Sequence, residues 1–412
     1  MSLGFHITGR INEPDGLVEK AKAVAKEYGY GIAVGEEGLC IRLCPMGELE
    51  VVWSKDEQEP ERLLVEADCQ TTPAGPGFHK AALEAAERLG IEVTEIDDET
   101  DYVNHRNFEK MQEEHFFPWL KTLVQICRKT FSEKDYSQIS LCWDTNLYQP
   151  ENVPQTAVTP LGRYSLESME EILDKQGIEA LAERFFLWKN IEQDALFYRN
   201  RALYVLWVQC YFVPSSRSEN DKRINESILE DLERAYRMEP ELPFPYQVYQ
   251  EVCKLDGRKP VMPKAGTAYV SAFPIGYRKG TVTLSIANLH FCLPGSYQYE
   301  WEEYEDGSGV HLWCDDSVNS PIWRMSIYHT NGPQAPFSEN NGRLQELTEE
   351  DIPNGRIRYG WEKYGKKKDV YYVMECEVIA GNFYYLITVT YTKKEEKERI
   401  IALLRRMTAV QK

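Results

Sequence analysis

The 412-residue sequence predicts an α+β multidomain protein, with an N-terminal α/β layer domain, a central α-helical segment and a C-terminal antiparallel sheet with a terminal helix. Three observations carry this expectation. The length exceeds what one hydrophobic core spans, so two or three domains are expected. Helix-like and strand-like periods alternate over residues 1–149, helical periods fill 150–262, and strand-like alternation fills 263–412. A hydrophobic content of 42%, with 12% aromatic residues, supplies material for ordered cores.

In the first domain "GFHITG" reads as a strand, and "PDGLVEKAKAVAKEYG" follows as a helix with Leu17, Ala21, Val24 and Ala25 on one face. Gly29 is placed to end it. Leu39, Ile41 and Leu43, then Leu49 and Val51, alternate as strands joined by glycine turns, and "RLLVEADC" is a further strand. A Pro-Gly corner, "TTPAGPG", then delivers the chain into a helix from about Phe78 to Leu89. The acidic run "EIDDETDYVNHRNFE" leads into a long helix that Pro118 should interrupt.

"PENVPQTAVTPLG", residues 150–162, has three prolines and no period, and reads as a linker. The following chain is helical to about residue 256. Ile228, Leu229, Leu232 and Ala235 ahead of Pro240 resemble the end of a tetratricopeptide-type helix pair, although no 34-residue self-similarity accompanies them.

"GRKPVMPKAG", residues 257–266, reads as a second linker, after which strands recur in "GTVTLSIANLHFCLPGSY", "GVHLWCDD", "PIWRMSIYH", "GRIRYGW" and "DVYYVMECEVIAGNFYYLITVTY". Two β-rich runs meeting at Ala380, Gly381 and Asn382 predict a hairpin, and "YGKKKD" at 364–369 a charged hairpin tip. Ile400, Leu403 and Leu404 mark the face of a closing helix. With its "LHFCLPGSY" strand and Pro-Gly turn, its long hairpin and its terminal helix, the stretch 281–408 resembles the PsbP-like α+β sandwich. That resemblance implies a fold whose members mostly bind other proteins or cofactors and mostly lack catalysis.

Charge narrows the function class. Of the net charge of −19, residues 1–118 hold a balance of −14, with 25 Asp or Glu against 11 Lys or Arg. Such a field disfavours nucleic acid and anionic membrane as partners, and it speeds encounters with a basic protein. No apolar run is long enough to cross a bilayer, and the first residues lack the apolar region of a signal peptide, so a cytoplasmic address is expected. Cys40 and Cys44 are spaced unlike a zinc knuckle, and the ten cysteines read as mostly buried thiols.

Three candidate sites stand out. Thr71, Thr72, Gly75, Gly77, His79 and Lys80 crowd a helix start that could hold an anion, although a rigid corner explains the same residues. Asp97, Asp98, Asp101, His105 and Glu109 could hold a metal, or could be a solvated turn and a capped helix start. Phe186, Trp188, Phe197, Tyr204 and Trp207 could form a partner-binding groove, or a core. No Gly-x-Ser-x-Gly elbow, His-Glu-x-x-His pair or catalytic cysteine setting is present, and no cofactor is expected. The preferred expectation is a non-catalytic interaction protein of bacterial, cytoplasmic type, in concrete form an immunity or adaptor protein that occludes a basic partner such as a secreted toxin. The alternative is an enzyme or small-ligand binder that uses the Thr71–Lys80 loop together with the Asp97–Glu109 cluster.

Overall fold

The computed structural model describes residues 2–57, 59–133, 138–141, 155–263, 265–271, 273–305, 308–315, 323–332, 336–339, 342–365 and 370–409. The first domain runs β1 (Gly4–Ile11), α1 (Pro14–Tyr28), β2 (Gly31–Val34), β3 (Gly38–Cys44), β4 (Gly47–Lys55), β5 (Leu63–Gln70), α2 (Pro76–Glu87) and β6 (Glu92–Asp98). Its six strands form one sheet in the order β2-β3-β4-β5-β1-β6, and every pairing is antiparallel. Alternation decides the two faces. Ile7, Ile41, Leu49, Val51, Val65 and Ala67 point to a single buried face, where α1 contributes Leu17, Ala21 and Val24 and α2 contributes Phe78, Ala82 and Leu83. α1 stops where expected, at Gly29 in the left-handed region with φ 71°.

The helix expected beyond the acidic run is divided further than the sequence suggests. It forms α3 (Tyr102–His105), α4 (Phe108–Met111), one π turn over Gln112–Phe116 and α5 (Phe117–Glu133). Arg106 in the left-handed region, at φ 50°, ends α3, and the Asn107 side chain accepts the Lys110 N–H to start α4. The π turn relieves the clash that Pro118 would otherwise make with the carbonyl one turn before it.

β7 (Gln138–Ser140), β8 (Thr156–Thr159) and β9 (Gly162–Ser165) form a small sheet, with β7 parallel to β8 and β9 antiparallel to it. The linker expected at 150–162 is corrected here. Residues 150–154 lie outside the described residues, but every residue of β8 is buried, because its backbone is satisfied by strand pairing on both sides. The helical segment follows as α6 (Leu166–Gln176), α7 (Ile178–Phe185), α8 (Ala195–Val208), α9 (Glu219–Met238) and α10 (Tyr246–Asp256). One continuous cluster of buried side chains runs from Leu3 through Phe186 and Leu229 to Met262, so the N-terminal sheet and the helices share a core.

The C-terminal part comprises β10 (Thr281–Ile286), β11 (Leu289–Pro294), β12 (Gln298–Glu303), β13 (Gly309–Asp315), β14 (Trp323–Asn331), β15 (Gln345–Ile352), β16 (Gly355–Tyr364), β17 (Tyr371–Ala380), β18 (Phe383–Tyr391), α11 (Glu396–Arg405) and β19 (Thr408–Ala409). A seven-stranded sheet, β12-β13-β14-β18-β17-β16-β15, faces a three-stranded one, β10-β11-β19. Both are antiparallel, and Ile400 and Leu404 of α11 join Leu289, Phe291, Ile327 and Ile387 in a second core. The expected hairpin joins β17 to β18. Gly381 has φ 58° while Asn382 has no positive φ, the pattern of a II′ turn. Of the expected charged tip, residues 366–369 lie outside the described residues, and the flanking Tyr364 and Tyr371 pair across the hairpin. Trp207 of α8 and Val158 of β8 belong to this second core, and Trp207 meets Tyr277 edge to face at 5.4 Å.

Candidate functional site

The Pro-Gly corner is occupied from within the chain. The Gly77 N–H donates to the Trp188 carbonyl at 2.9 Å, and the Trp188 N–H donates to the Ala74 carbonyl at 2.7 Å. A Cβ on Gly77 would sit 2.1 Å from the Asn190 carbonyl oxygen, and one on Gly75 would sit 2.7 Å from the Phe186 Cβ. The glycines are therefore needed for the approach of the 186–190 loop, and the helix start they open onto already carries a carbonyl. Thr71, Thr72 and His79 are 0%, 3% and 0% exposed, so no anion reaches them from solvent. Lys80 is engaged by Glu84 one turn along α2, at 2.9 Å. The anion site expected of these six residues is corrected to an internal joint.

What the corner does hold is a buried polar network. The His79 ring packs against Phe5, Tyr102 and Phe116. Its Nε2 lies 3.1 Å from the Thr100 hydroxyl and 3.2 Å from an Asp98 oxygen, to which that hydroxyl donates. Nε2 thus carries a hydrogen, while Nδ1 meets the Thr71 hydroxyl at 3.0 Å. Burial alone would raise the Asp98 pKa. The His79 hydrogen bond and charge, with the Val103 and Thr100 amides, outweigh it and hold the carboxyl well below its ordinary range. Thr71, His79 and Asp98 are connected like a nucleophile, base and orienting acid, but catalysis requires access for a substrate, and Thr71 and His79 have none.

The expected metal set is taken apart by the same alternation. Asp98 points inward to His79, whereas Asp97, its neighbour on β6, pairs beside His6 on the opposite face of the sheet. Asp101 is exposed and accepts from the Asn104 amide, and the His105 Nδ1 accepts the Asn107 N–H. Glu109 is exposed on α4. Among the described residues no three His, Cys, Asp or Glu side chains gather in a metal-holding group.

The aromatic candidates are core residues. Phe186, Trp188, Phe197 and Trp207 are at most 3% exposed, and Tyr204 is half-buried. Phe186 meets Phe116 at 5.6 Å, and Trp188 meets Phe197 at 5.0 Å. Helix α8 is surrounded on all sides, which is why its apolar residues show no stripe. The groove expected from them is therefore replaced by packing.

Two of the cysteines, Cys44 and Cys210, are unsuited to act as reactive thiols. Cys44 and Cys210 are buried, and burial pushes both pKa values up to about 12. A cavity of about 350 Å³ at the C-terminal sheet is lined by Arg343, Arg358, Glu375 and Glu377, but these pair with one another, Arg343 with Glu375 and Arg358 with Glu377.

The open surface is the outer face of the N-terminal sheet. Register aligns Glu50, Asp68, His6 and Asp97 in one row, and Val52, Glu66, Thr8 and Glu95 in the next. Glu50, Glu66, Asp68, Glu95 and Asp97 are exposed, and Val52 is 48% exposed, so no helix among the described residues covers this face. The His6 Nδ1 meets Asp68 at 2.8 Å, and that hydrogen bond, with the nearby Glu66 and Asp97 charges, raises the His6 pKa although burial opposes it. Glu50, Glu66, Glu95 and Asp97 have no cation at ion-pair distance among the described residues. A signal for these residues was present in the sequence as acids at every second position, Glu48 and Glu50, Glu66 and Asp68, Glu95 and Asp97.

No family model and no curated protein matches the chain. Among solved structures it is similar to a crystal structure from Bacteroides thetaiotaomicron VPI-5482, at 15% identity and a TM-score of 0.22 over 30% of this chain and 46% of that one. The match spans less than half of that protein's length. Among the described residues no helix is long and apolar enough to cross a membrane.

Proposed function

We propose that this chain is a non-catalytic interaction protein that captures a basic protein partner on the outer face of its N-terminal sheet. An immunity or adaptor role, occluding a partner such as a secreted toxin in the cytoplasm, is the concrete form of the reading. One observation supports it above others: the rows Glu50-Asp68-His6-Asp97 and Val52-Glu66-Thr8-Glu95 form an uncovered sheet face in which like charges stand opposite one another, Glu50 against Asp68. Like charges directly opposite destabilise a sheet, and a partner's lysines and arginines would remove that penalty on binding. The same field would accelerate encounter at low salt. A purely solubilising surface needs no such alignment on one face.

The test compares affinity capture by the wild-type chain and by the double variant Glu66→Lys, Asp97→Lys, in low and in high salt. The reading expects a basic protein, identified by mass spectrometry, that high salt releases and that the variant binds at least about tenfold more weakly. Equal capture by both chains, or partners that are acidic, would overturn it.

A further inference from the structure

The seven-stranded C-terminal sheet ends in two edge strands that are defended differently. At one edge, β15 carries Glu346, Glu349 and Glu350. Each is matched by a cation of the same chain, Glu346 by Lys397, Glu349 by Arg356 at 3.5 Å and Glu350 by Arg405. A register irregularity between Gln345 and Thr348 also breaks that edge. Charge and irregularity are the devices by which sheets avoid recruiting a further strand.

At the other edge β12 has no irregularity, and its charges stand unmatched, a guard against strands of like or no charge that a cationic strand passes. It pairs with β13 in unbroken register, from Gln298 opposite Cys314 to Glu303 opposite Gly309. Among the described residues no strand lies on its other side. Glu300, Glu302 and Glu303 are exposed and, among the described residues, have no cation at ion-pair distance. Trp301 and Tyr304 are each 45% exposed. Trp301 lies tilted against His311, with ring centroids 4.5 Å apart, and over Gly309, where a Cβ would come within 2.3 Å of the indole. An indole beside carboxylates with no cation at ion-pair distance, on an edge whose outer side meets no strand among the described residues, invites pairing.

The charges select the occupant. A second copy of β12 would set glutamate against glutamate, so self-pairing is opposed. A neutral strand would gain the backbone bonds but bring the carboxylates next to protein with no counter-charge. A cationic strand satisfies every group at once. Alternation puts Glu300 and Glu302 on one face of β12 and Trp301 and Glu303 on the other, so lysine or arginine at every second position meets the first pair, and the uncharged residue between them lies on the indole's face. We infer that β12 is a strand-addition site for a cationic extended polypeptide segment. The site is on a different sheet from the acidic N-terminal face, and either can fail without the other.

The probe is a synthetic nonapeptide of alternating lysine and threonine, blocked at both ends, titrated into the full chain at low salt and followed by fluorescence anisotropy and by amide exchange. Saturable binding with slowed exchange over residues 299–303 is expected. The double variant Glu300→Lys, Glu302→Lys, both at exposed positions, should weaken binding about tenfold or more. Methylating the peptide's alternate amides should do the same, because only strand addition needs them. The double variant Glu66→Lys, Asp97→Lys should keep the peptide's slowing of exchange over residues 299–303, whatever peptide it loses at the N-terminal face. No saturable binding, an unchanged affinity for the β12 variant, or indifference to amide methylation would each overturn the inference. Protection confined to β1 and β6 would also overturn it, while supporting the N-terminal reading.

Discussion

Gly77 sets two effects against each other. Its backbone is helical with no positive φ, so replacement by alanine should improve helix propensity by up to about 1 kcal/mol. Its Cβ, however, would lie 2.1 Å from a backbone carbonyl and 2.2 Å from the Trp188 ring, and neither can move without shifting the 186–190 loop. Overpacking of this kind typically costs about 1–3 kcal/mol, so sterics should win. Gly77→Ala is expected to lower the melting temperature by several degrees, measured by calorimetry, and a rise would show that the clamp is slack. The need for glycine was visible in "TTPAGPG", but its object was not. The loop that fills the space is more than a hundred residues away in sequence, and nothing local encodes that meeting. By contrast, the opposite fates of Asp97 and Asp98 follow from strand period alone; reading them by composition, as part of an acidic run, hides it.

Among the elements, the strands of the C-terminal sheet divide into those the sequence announces and those it conceals. β17 and β18 are rich in Val, Ile and Tyr and meet at a glycine with φ 58°, and they are legible. β12, "QYEWEE", and β15, "QELTEEDI", are poor in β-branched residues, and their pairing comes from the neighbouring strand rather than from propensity. Next to β12, His311 stacks with His329 at 5.9 Å. Burial, with the nearby His329 charge, pushes its pKa down to about 4 from 6.5. Between those values the unfolded chain binds a proton that the folded one does not, so stability should fall as pH drops from about 6.5 towards 4. His311→Gln is expected to flatten that part of the profile, followed by urea midpoints at several pH values. An unchanged slope would assign the loss to other groups.

For the whole molecule, the boundary between the first and second segments in the sequence is not a boundary between cores. Proline density around residue 150 suggests separation, yet the buried cluster passes from Leu3 to Met262 without a break. A fragment of residues 1–149 would lose Phe186 and Trp188 from its corner and should not fold, whereas residues 1–262 should unfold cooperatively. Near-ultraviolet dichroism with thermal melting distinguishes the two, and a folded 1–149 fragment would contradict the shared core. Composition could not reveal this, because it registers the change of local period and not which faces meet.

The N-terminal sheet has one further consequence. Along β1, β5 and β6 the exposed residues of the outer face and the residues that build the core are interleaved, His6 beside Ile7, Glu66 beside Val65, Asp97 beside Ile96. The two sets touch different neighbours, so either can be altered with little effect on the other. The charge and shape of that outer face can therefore be rewritten through single substitutions at every second position, while the fold is inherited unchanged.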